Sequence, residues 1–262
     1  MALTRSSRRP PWAVLLALPA VAFVLAPVAG LATRAPWSHA GSKLAEAGTW
    51  TAVVVSLKVT IGATLLSLAL GLPAAWALAR VRLPARRLVR AVIVLPVVLP
   101  PVVAGVALLA VLGRLGFLGR LLAHVGVSLP FTTAGAAVAS AFVSAPLLVL
   151  ALEAGLRSLD VRLEDAARTL GASRWYVFRR VTLPLLRPHL VAGLGLAWAR
   201  ALGEFGATIT FAGSFRGTTQ TLPLAVFQAL QTDPDAAIMV SVVMLGLSLV
   251  VLAAFGGRLL GR

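Results

Sequence analysis

The sequence predicts an all-α membrane protein, a single domain of six transmembrane helices over residues 1–262. Hydrophobic residues make up 59% of the chain and charged residues only 12%, whereas ordinary soluble domains carry about a quarter charged residues. The apolar residues are gathered in runs of about 20, the length that an α-helix needs to cross a bilayer. Because the basic residues separate these runs rather than cluster on a soluble face, the composition argues against a nucleic-acid-binding protein.

The first predicted helix, residues 12–32, follows a short basic segment. A basic start, an apolar core and small residues near its end are also typical of a cleaved signal peptide. The run of 21 residues is long for a signal core and long enough to cross a bilayer. We therefore predict a retained helix, with the cleaved peptide as the alternative.

Five further apolar runs complete the predicted bundle. The third run contains Pro96, Pro100 and Pro101, which predict a bent helix packed inside the bundle, because proline lacks an N–H donor and kinks a helix. The other runs contain few or no charged residues. In chain order, the six predicted spans are residues 12–32, 51–79, 91–113, 132–152, 190–211 and 236–255.

The distribution of Lys and Arg predicts the orientation of the chain. With six crossings, the N-terminal tail, residues 80–90, residues 153–189 and the C-terminus share one side and hold 17 Lys and Arg, whereas the opposite loops hold five. Cytoplasmic loops are the ones rich in Lys and Arg. We therefore expect a protein of the cytoplasmic (inner) membrane with both termini and residues 153–188 in the cytoplasm.

The longest polar interruption contains a short predicted helix, residues 164–170. Acidic residues begin this helix, where they favour its positive end, and Gly171 follows as a left-handed cap. Small and apolar side chains share one face, on which another protein can approach closely; they are Leu163, Ala166, Ala167 and Leu170. The alternative is a solvated loop with an interfacial helix, whose aromatic residues lie among the lipid headgroups; these are Trp175, Tyr176 and Phe178.

The spacing across this segment resembles the EAA loop of ABC-importer permeases. Asp165 precedes two alanines, Gly171 follows it by six residues, and Val181-Thr182-Leu183-Pro184 begins ten residues after the glycine. Asp165 departs from the pattern, in which a glutamate is usual, so the charge is retained but its reach is shorter. In the family this loop is a coupling helix that docks into a cytoplasmic ATPase. The resemblance implies a type I ABC-importer permease-like bundle with these ATPase-docking residues: Glu164, Asp165, Ala166, Ala167, Arg168, Leu170, Gly171, Leu183 and Pro184.

Four further stretches are similar to the permease subunits of molybdate importers. They are SLKVT at Ser56–Thr60, LPVVLPPVV at Leu95–Val103, RALGEFGATITFAG at Arg200–Gly213 and TQTLPLAVF at Thr219–Phe227. Sulfate and tungstate permeases share much of this pattern, so these ions are alternatives. The resemblance implies a second permease copy, two ATP-binding subunits that use ATP and Mg, an oxyanion-binding protein on the periplasmic or extracellular side, and membrane lipid as partners.

The sequence does not predict an enzyme. The chain has no G-x-x-x-x-G-K-[ST] phosphate loop, so we expect no cofactor on this chain and ATP hydrolysis by a separate subunit. Its histidines, His39, His124 and His189, are scattered and do not form a metal or catalytic set. An ATP-independent ion carrier and a structural membrane protein are the two other classes that we considered.

Ionisable residues inside predicted spans are candidates for function, and there are three of them. Arg200 and Glu204 are four residues apart and are predicted to share one helix face, either as a self-neutralising pair or as part of the anion pathway. Lys58 is predicted to lie at the outer interface or to attract the anion there.

Two patterns on the fifth predicted span complete the candidates. Thr208 and Thr210 carry hydroxyl groups that can donate hydrogen bonds to a passing oxyanion. Ala199, Gly203 and Ala207 repeat at a spacing of four, which predicts a close contact with another helix.

Overall fold

The computed structural model describes the backbone of residues 11–259 and, with the exception of Ala17, the side chains from Leu16 to Ala254. The extreme ends of the predicted cytoplasmic termini, residues 1–10 and 260–262, lie outside the described residues. Within the described part the chain is helical and contains no strand. The helices are α1 Pro11–Arg34, α2 Ala40–Glu46, α3 Thr49–Arg80, α4 Arg86–Val98, α5 Pro101–Leu112, α6 Phe117–His124, α7 Thr133–Ser158, α8 Val161–Thr169, α9 Arg174–Val177, α10 Leu183–Leu202, α11 Gly206–Ala212, α12 Leu222–Thr232 and α13 Pro234–Leu259.

Helix α7 lies at the centre of the bundle and packs against α3, α4, α5, α10 and α11. Small residues let its neighbours approach closely: a methyl group added at Gly62 would lie 3.2 Å from Ala137, and one added at Gly71 would lie 3.2 Å from Val149. The later residue of α3 contacts the later residue of α7, so the two helices run parallel. The sequence predicted this direction, because residues 51–79 and 132–152 are both predicted to cross the membrane from the outer side to the cytoplasmic side.

Helix α10 runs antiparallel to α7. Gly193 lies against Leu148, whereas His189, which is earlier in the chain, lies against Gly155. The same antiparallel course continues into α11, where the Thr208 and Ser140 hydroxyls are 3.5 Å apart. The chain therefore returns along α7 towards the end at which α7 begins.

The described chain has two chemically different ends. At the arginine-rich end, which we define as residues 80–90 and 153–189, Arg80 contacts Glu164 at 3.0 Å and Arg90 contacts Glu153 at 3.1 Å. The opposite end comprises residues 34–49, 113–132 and 212–235, where Lys43 contacts Asp233 at 2.6 Å and the Phe131 ring meets the Phe215 ring. The hydrogen bond from Lys43 lowers the pKa of Asp233 below its usual value. The segments that the charge count assigned to one side of the membrane are therefore together in space.

Three described helices are long and apolar enough to cross a membrane: α3, α7 and the Pro234–Ala254 part of α13. Two bent helix pairs raise the number to five if each pair is counted as one span. One pair joins the Leu18–Arg34 part of α1 to the segment Trp37–Glu46 at 55°, and the other joins α4 to α5 at 115°.

The third apolar run is two helices rather than one bent helix, and this corrects the sequence-based prediction. Leu99 has an extended backbone, ψ 135°, because the residue before a proline is disfavoured in the helical region. Pro100 is also extended, and Pro101 then begins α5, a position at which the missing N–H of proline has no cost. Adjacent prolines therefore produce a 115° break where the sequence predicted a kink.

The fifth apolar run is also interrupted. Helix α10 begins at Leu183, before the predicted span, and ends at Leu202, and α11 begins at Gly206. The Glu204 carboxylate lies in the break and accepts a hydrogen bond from the Ala207 N–H at 2.8 Å. Because of this break, the predicted repeat of small residues from Ala199 to Ala207 does not lie on one continuous helix face.

Candidate functional site

Helix α8 and its flanking turns form the candidate site at the arginine-rich end. The Asp160 carboxylate begins α8 by accepting a hydrogen bond from the Arg162 N–H at 3.0 Å. The helix therefore starts one turn earlier than the sequence predicted. Gly171 ends it with the predicted left-handed conformation, φ 84°, and the Ala172 N–H donates to the Ala167 carbonyl at 3.1 Å.

Glu164 is the buried residue of α8 and is only 4% exposed. One of its carboxylate oxygens accepts hydrogen bonds from Arg80 of α3 at 3.0 Å and from the Thr182 hydroxyl at 3.1 Å. The sequence grouped Glu164 with the docking residues, but its side chain points into the bundle and is not available to another protein. Its contacts fix α8 to the end of α3 and to the start of α10.

The exposed side of α8 carries most of the other predicted docking residues, and we call it the α8 outer face. The Asp165 side chain is 64% exposed and Leu170 is 89% exposed. Of the remaining predicted docking residues, Ala166, Arg168, Gly171 and Pro184 are exposed, whereas Ala167 and Leu183 are half-buried. Val161 and Leu163 are two further large apolar side chains of this segment that are exposed.

A short turn, α9 and a π turn connect α8 to α10. The Ser173 hydroxyl accepts the Tyr176 N–H at 3.2 Å and begins α9, and a wide turn of π geometry, Phe178–Thr182, continues directly into α10. Thr182 is buried in this turn and contacts Glu164. Glu164 therefore joins α8 to α3 and to the start of α10, both of which pack on α7.

A second buried carboxylate, Glu153, joins α4 to α7 at the same end. Glu153 is 2% exposed and contacts Arg90 at 3.1 Å, Arg86 at 3.7 Å and Arg157 of its own helix. Arg86 also donates to the Leu78 carbonyl. The sequence analysis missed this cluster, although the i, i+4 spacing of Glu153 and Arg157 is a local signal for it.

The two helix breaks contact each other inside the bundle. A methyl group added at Gly206 would lie 2.7 Å from Pro101, and one added at Gly105 would lie 2.6 Å from Thr210. The α4–α5 break and the α10–α11 break are therefore adjacent. Broken helices at membrane depth occur where neighbouring protein satisfies the free backbone groups, and in transporters such breaks often lie at the substrate site.

The predicted pathway residues have partners of their own at these breaks. Arg200 pairs with Glu204 at 2.8 Å, so the two charges neutralise each other although Glu204 lies outside the helix. The Thr210 hydroxyl donates to the Gly206 carbonyl at 2.8 Å, and Thr208 is buried against Ser140. Lys58 is exposed on α3, away from these contacts. A role for these residues in ion transport stays a prediction.

No group of His, Cys, Asp and Glu in the described part of the chain has the arrangement of a metal site. The chemistry of the candidate site is that of a contact surface: an exposed helix face, held by one buried carboxylate.

Residues 67–262 match the family described as "Binding-protein-dependent transport system inner membrane component". The chain is 44% identical over 249 residues to the "Molybdenum transport system permease protein ModB" of Mycobacterium tuberculosis, with 95% of this chain and 94% of the relative covered. It is 50% identical over 184 residues to the protein of the same name from Escherichia coli K12, with 70% and 80% covered. It is 40% identical over 222 residues to the "Sulfate transport system permease protein CysT" of that organism, with 80% of each covered.

One solved structure illustrates the likeness of the fold. A chain of the bacterial alginate ABC transporter, crystallised with an alginate pentasaccharide-bound periplasmic protein, superposes with a TM-score of 0.70 over 93% of this chain and 91% of that chain. The two sequences are 19% identical, so the comparison concerns the fold alone.

Proposed function

The chain belongs to the family of binding-protein-dependent transport system inner membrane components, and on this premise we propose that it is the permease subunit of an ABC importer for molybdate. The observation that carries the choice of ion is the 44% identity to a molybdenum permease along 95% of the chain. The sulfate permease is less similar, at 40% identity over 80% of the chain. Sulfate is therefore the second candidate ion, and tungstate is the third.

The proposed mechanism is alternating access driven by a separate ATPase. The α8 outer face would contact the ATPase, which supplies the ATP and Mg chemistry that this chain lacks. The contacts of Glu164 with Arg80 and Thr182 support the transmission of a displacement to α3 and α10. These helices pack on α7, so their movement would change the contacts that surround the two helix breaks.

The proposed assembly contains a second copy of this chain, two ATP-binding subunits and an oxyanion-binding protein on the outer side. The multi-pass membrane location follows from the family and the apolar helices. The family description, "Binding-protein-dependent", supports the binding-protein partner. The two-fold stoichiometry is part of the proposal, and its measurement is the mass of the purified complex.

We propose six crossings with the arginine-rich end in the cytoplasm. The crossings are α1, α3, the α4–α5 pair, α7, α10 with α11, and α13. Helix α10 carries Arg187 and Arg200, which weaken its apolar character, but its antiparallel packing along α7 supports a full crossing. The excess of Lys and Arg at one end supports its cytoplasmic location.

The orientation predicts the behaviour of reporter fusions. We expect green fluorescent protein fused after Ser173, in the α8–α9 turn, to fluoresce, and alkaline phosphatase fused there to be inactive, because the arginine-rich end lies in the cytoplasm. Fusions after Gly126, in the loop before α7, should give the reverse result. Active phosphatase at Ser173 together with fluorescence at Gly126 would contradict the orientation.

The function predicts ATP-dependent uptake of labelled molybdate by proteoliposomes that contain the permease, its ATPase and its binding protein. We expect no uptake without ATP, because this chain has no site that hydrolyses it. Tungstate should compete more strongly than sulfate at equal concentration. Transport that persists without ATP hydrolysis would identify an ion carrier instead, and equal competition by sulfate would move the assignment to the sulfate relatives.

A further inference from the structure

Two adjoining cavities form a groove beside α8, on the side of the segment that contains α9. The first cavity, about 440 Å³, lies between the end of α3, α8 and the π turn, and its charged lining residues are Arg80, Arg168, Arg174 and Glu164. The second, about 380 Å³, is lined by Leu72, Pro73, Trp76, Arg174, Trp175 and Phe178. Trp76, Arg174 and Phe178 belong to both linings, so the two cavities are adjacent.

The apolar part of the groove has aromatic walls. The Trp76 and Phe178 rings meet edge to face with centroids 5.5 Å apart, and Trp175 stacks on Phe178 at 5.6 Å. Trp175 is nevertheless exposed, although it is a large apolar ring at the end of a membrane helix bundle. Exposed tryptophan rings of this kind are typical of the membrane–water interface.

The charged part of the groove has an excess of positive charge. Three arginines line it against one carboxylate, and that carboxylate already pairs with Arg80. Arg80 Nε is buried with no hydrogen-bond partner in the described residues. Arg174 is exposed. Arg168 lies 3.7 Å from Asp165, so Arg174 is the arginine of this lining that has no carboxylate partner among the described residues.

The two parts are arranged along α3 in the order that a phospholipid requires. Leu72 and Pro73 precede Arg80 by about two helical turns, which corresponds to a rise of ~12 Å towards the membrane centre. The apolar part therefore lies deeper in the bilayer, and the charged part lies where α3 leaves it. A soluble anion would use only the charged part, whereas a lipid would occupy both.

We propose that this groove binds an anionic phospholipid of the leaflet at the arginine-rich end. Its phosphate lies between Arg80, Arg168 and Arg174, and an acyl chain lies along Leu72, Pro73 and Trp76. Basic pockets between membrane helices recognise anionic headgroups in this way. The lipid contacts α3, α8 and α9 together, and it therefore fills the space beside the Glu164 contact that holds α8.

The test is native mass spectrometry of the purified permease–ATPase complex, titrated with phosphatidylglycerol and, separately, with phosphatidylcholine. We expect the complex to retain phosphatidylglycerol preferentially. Arg174→Gln should lower the affinity for phosphatidylglycerol about fivefold, the effect of removing one cation from such a site. Arg180→Gln is the matched control, because Arg180 is an exposed arginine of the same segment that lines neither cavity; it should leave the affinity unchanged.

Three outcomes would overturn the proposal. Equal retention of the two lipids, or an equal effect of the two substitutions, would mean that charge in this groove does not select a lipid. Displacement of phosphatidylglycerol by an equal concentration of glycerol 3-phosphate would identify a site for soluble phosphates. Loss of the ATPase from the Arg174→Gln complex, with lipid retention unchanged, would assign the groove to the ATPase. None of these outcomes depends on the transported ion, so the proposed function is tested separately.

Discussion

We expect Glu164→Ala to abolish molybdate uptake in proteoliposomes that contain the ATPase and the binding protein. The substitution leaves the guanidinium of Arg80 largely buried without its carboxylate, and it removes the contact with Thr182. Breaking one side of a buried ion pair costs about 3–5 kcal/mol. Thermal unfolding in detergent should show this loss of stability, and uptake should show that α8 no longer moves α3 and α10.

A double variant separates the two effects. Arg80→Ala combined with Glu164→Ala removes both charges, so most of the lost stability should return, but α8 still lacks its contacts and uptake should stay low. Glu46→Ala is the control, because this carboxylate is 65% exposed at the opposite end. Wild-type uptake in Glu164→Ala, or recovery of uptake in the double variant, would contradict a transmitting role for this contact.

The features that the sequence predicted correctly are those that require no knowledge of tertiary contacts. Gly171 was identified as a left-handed cap because a helical pattern ends directly before it, and its φ of 84° agrees. The shared end of the arginine-rich segments follows from charge counting along the chain, which requires no tertiary contact. The parallel course of α3 and α7 follows from the number of crossings between them.

The helix breaks could not be predicted from hydropathy, because hydropathy reports burial in lipid and not the direction of the backbone. Residues Leu95–Leu109 and Ala197–Phe211 are apolar enough to be read as continuous spans. The break at Gly203–Phe205 depends on the Glu204 side chain, which bonds forward to the Ala207 N–H instead of lying on a helix face. A continuous helix through these residues would have the same sequence pattern as the broken one.

The burial of Glu164 was not predicted because its partners are distant in sequence. Arg80 lies 84 residues away and Thr182 lies 18 residues away. No local pattern separates the two acids, because Glu164 and Asp165 are adjacent in the same short helix. The sequence alone does not indicate which of the two acids is buried.

We expect Gly171→Val to uncouple ATP hydrolysis from molybdate uptake. Gly171 has a φ of 84°, and no atom lies within 4 Å of an added Cβ, so the substitution acts through backbone strain and not through a collision. A β-branched residue in this conformation costs about 1–3 kcal/mol, which favours a different end for α8. The exposed Leu170 and the turn to α9 would move with it. Uptake per ATP hydrolysed should fall severalfold, while the complex still assembles.

Two further variants make this prediction specific. Gly171→Asn should retain most of the coupling, because asparagine adopts the left-handed conformation more readily than valine. Gly126→Val imposes the same strain at the opposite end, where Gly126 has a φ of 75° and equally open surroundings. It should leave the ratio of uptake to hydrolysis unchanged, since that loop lies away from α8. Normal coupling in Gly171→Val, or an equal loss in Gly126→Val, would show that the left-handed turn after α8 does not transmit the ATPase movement.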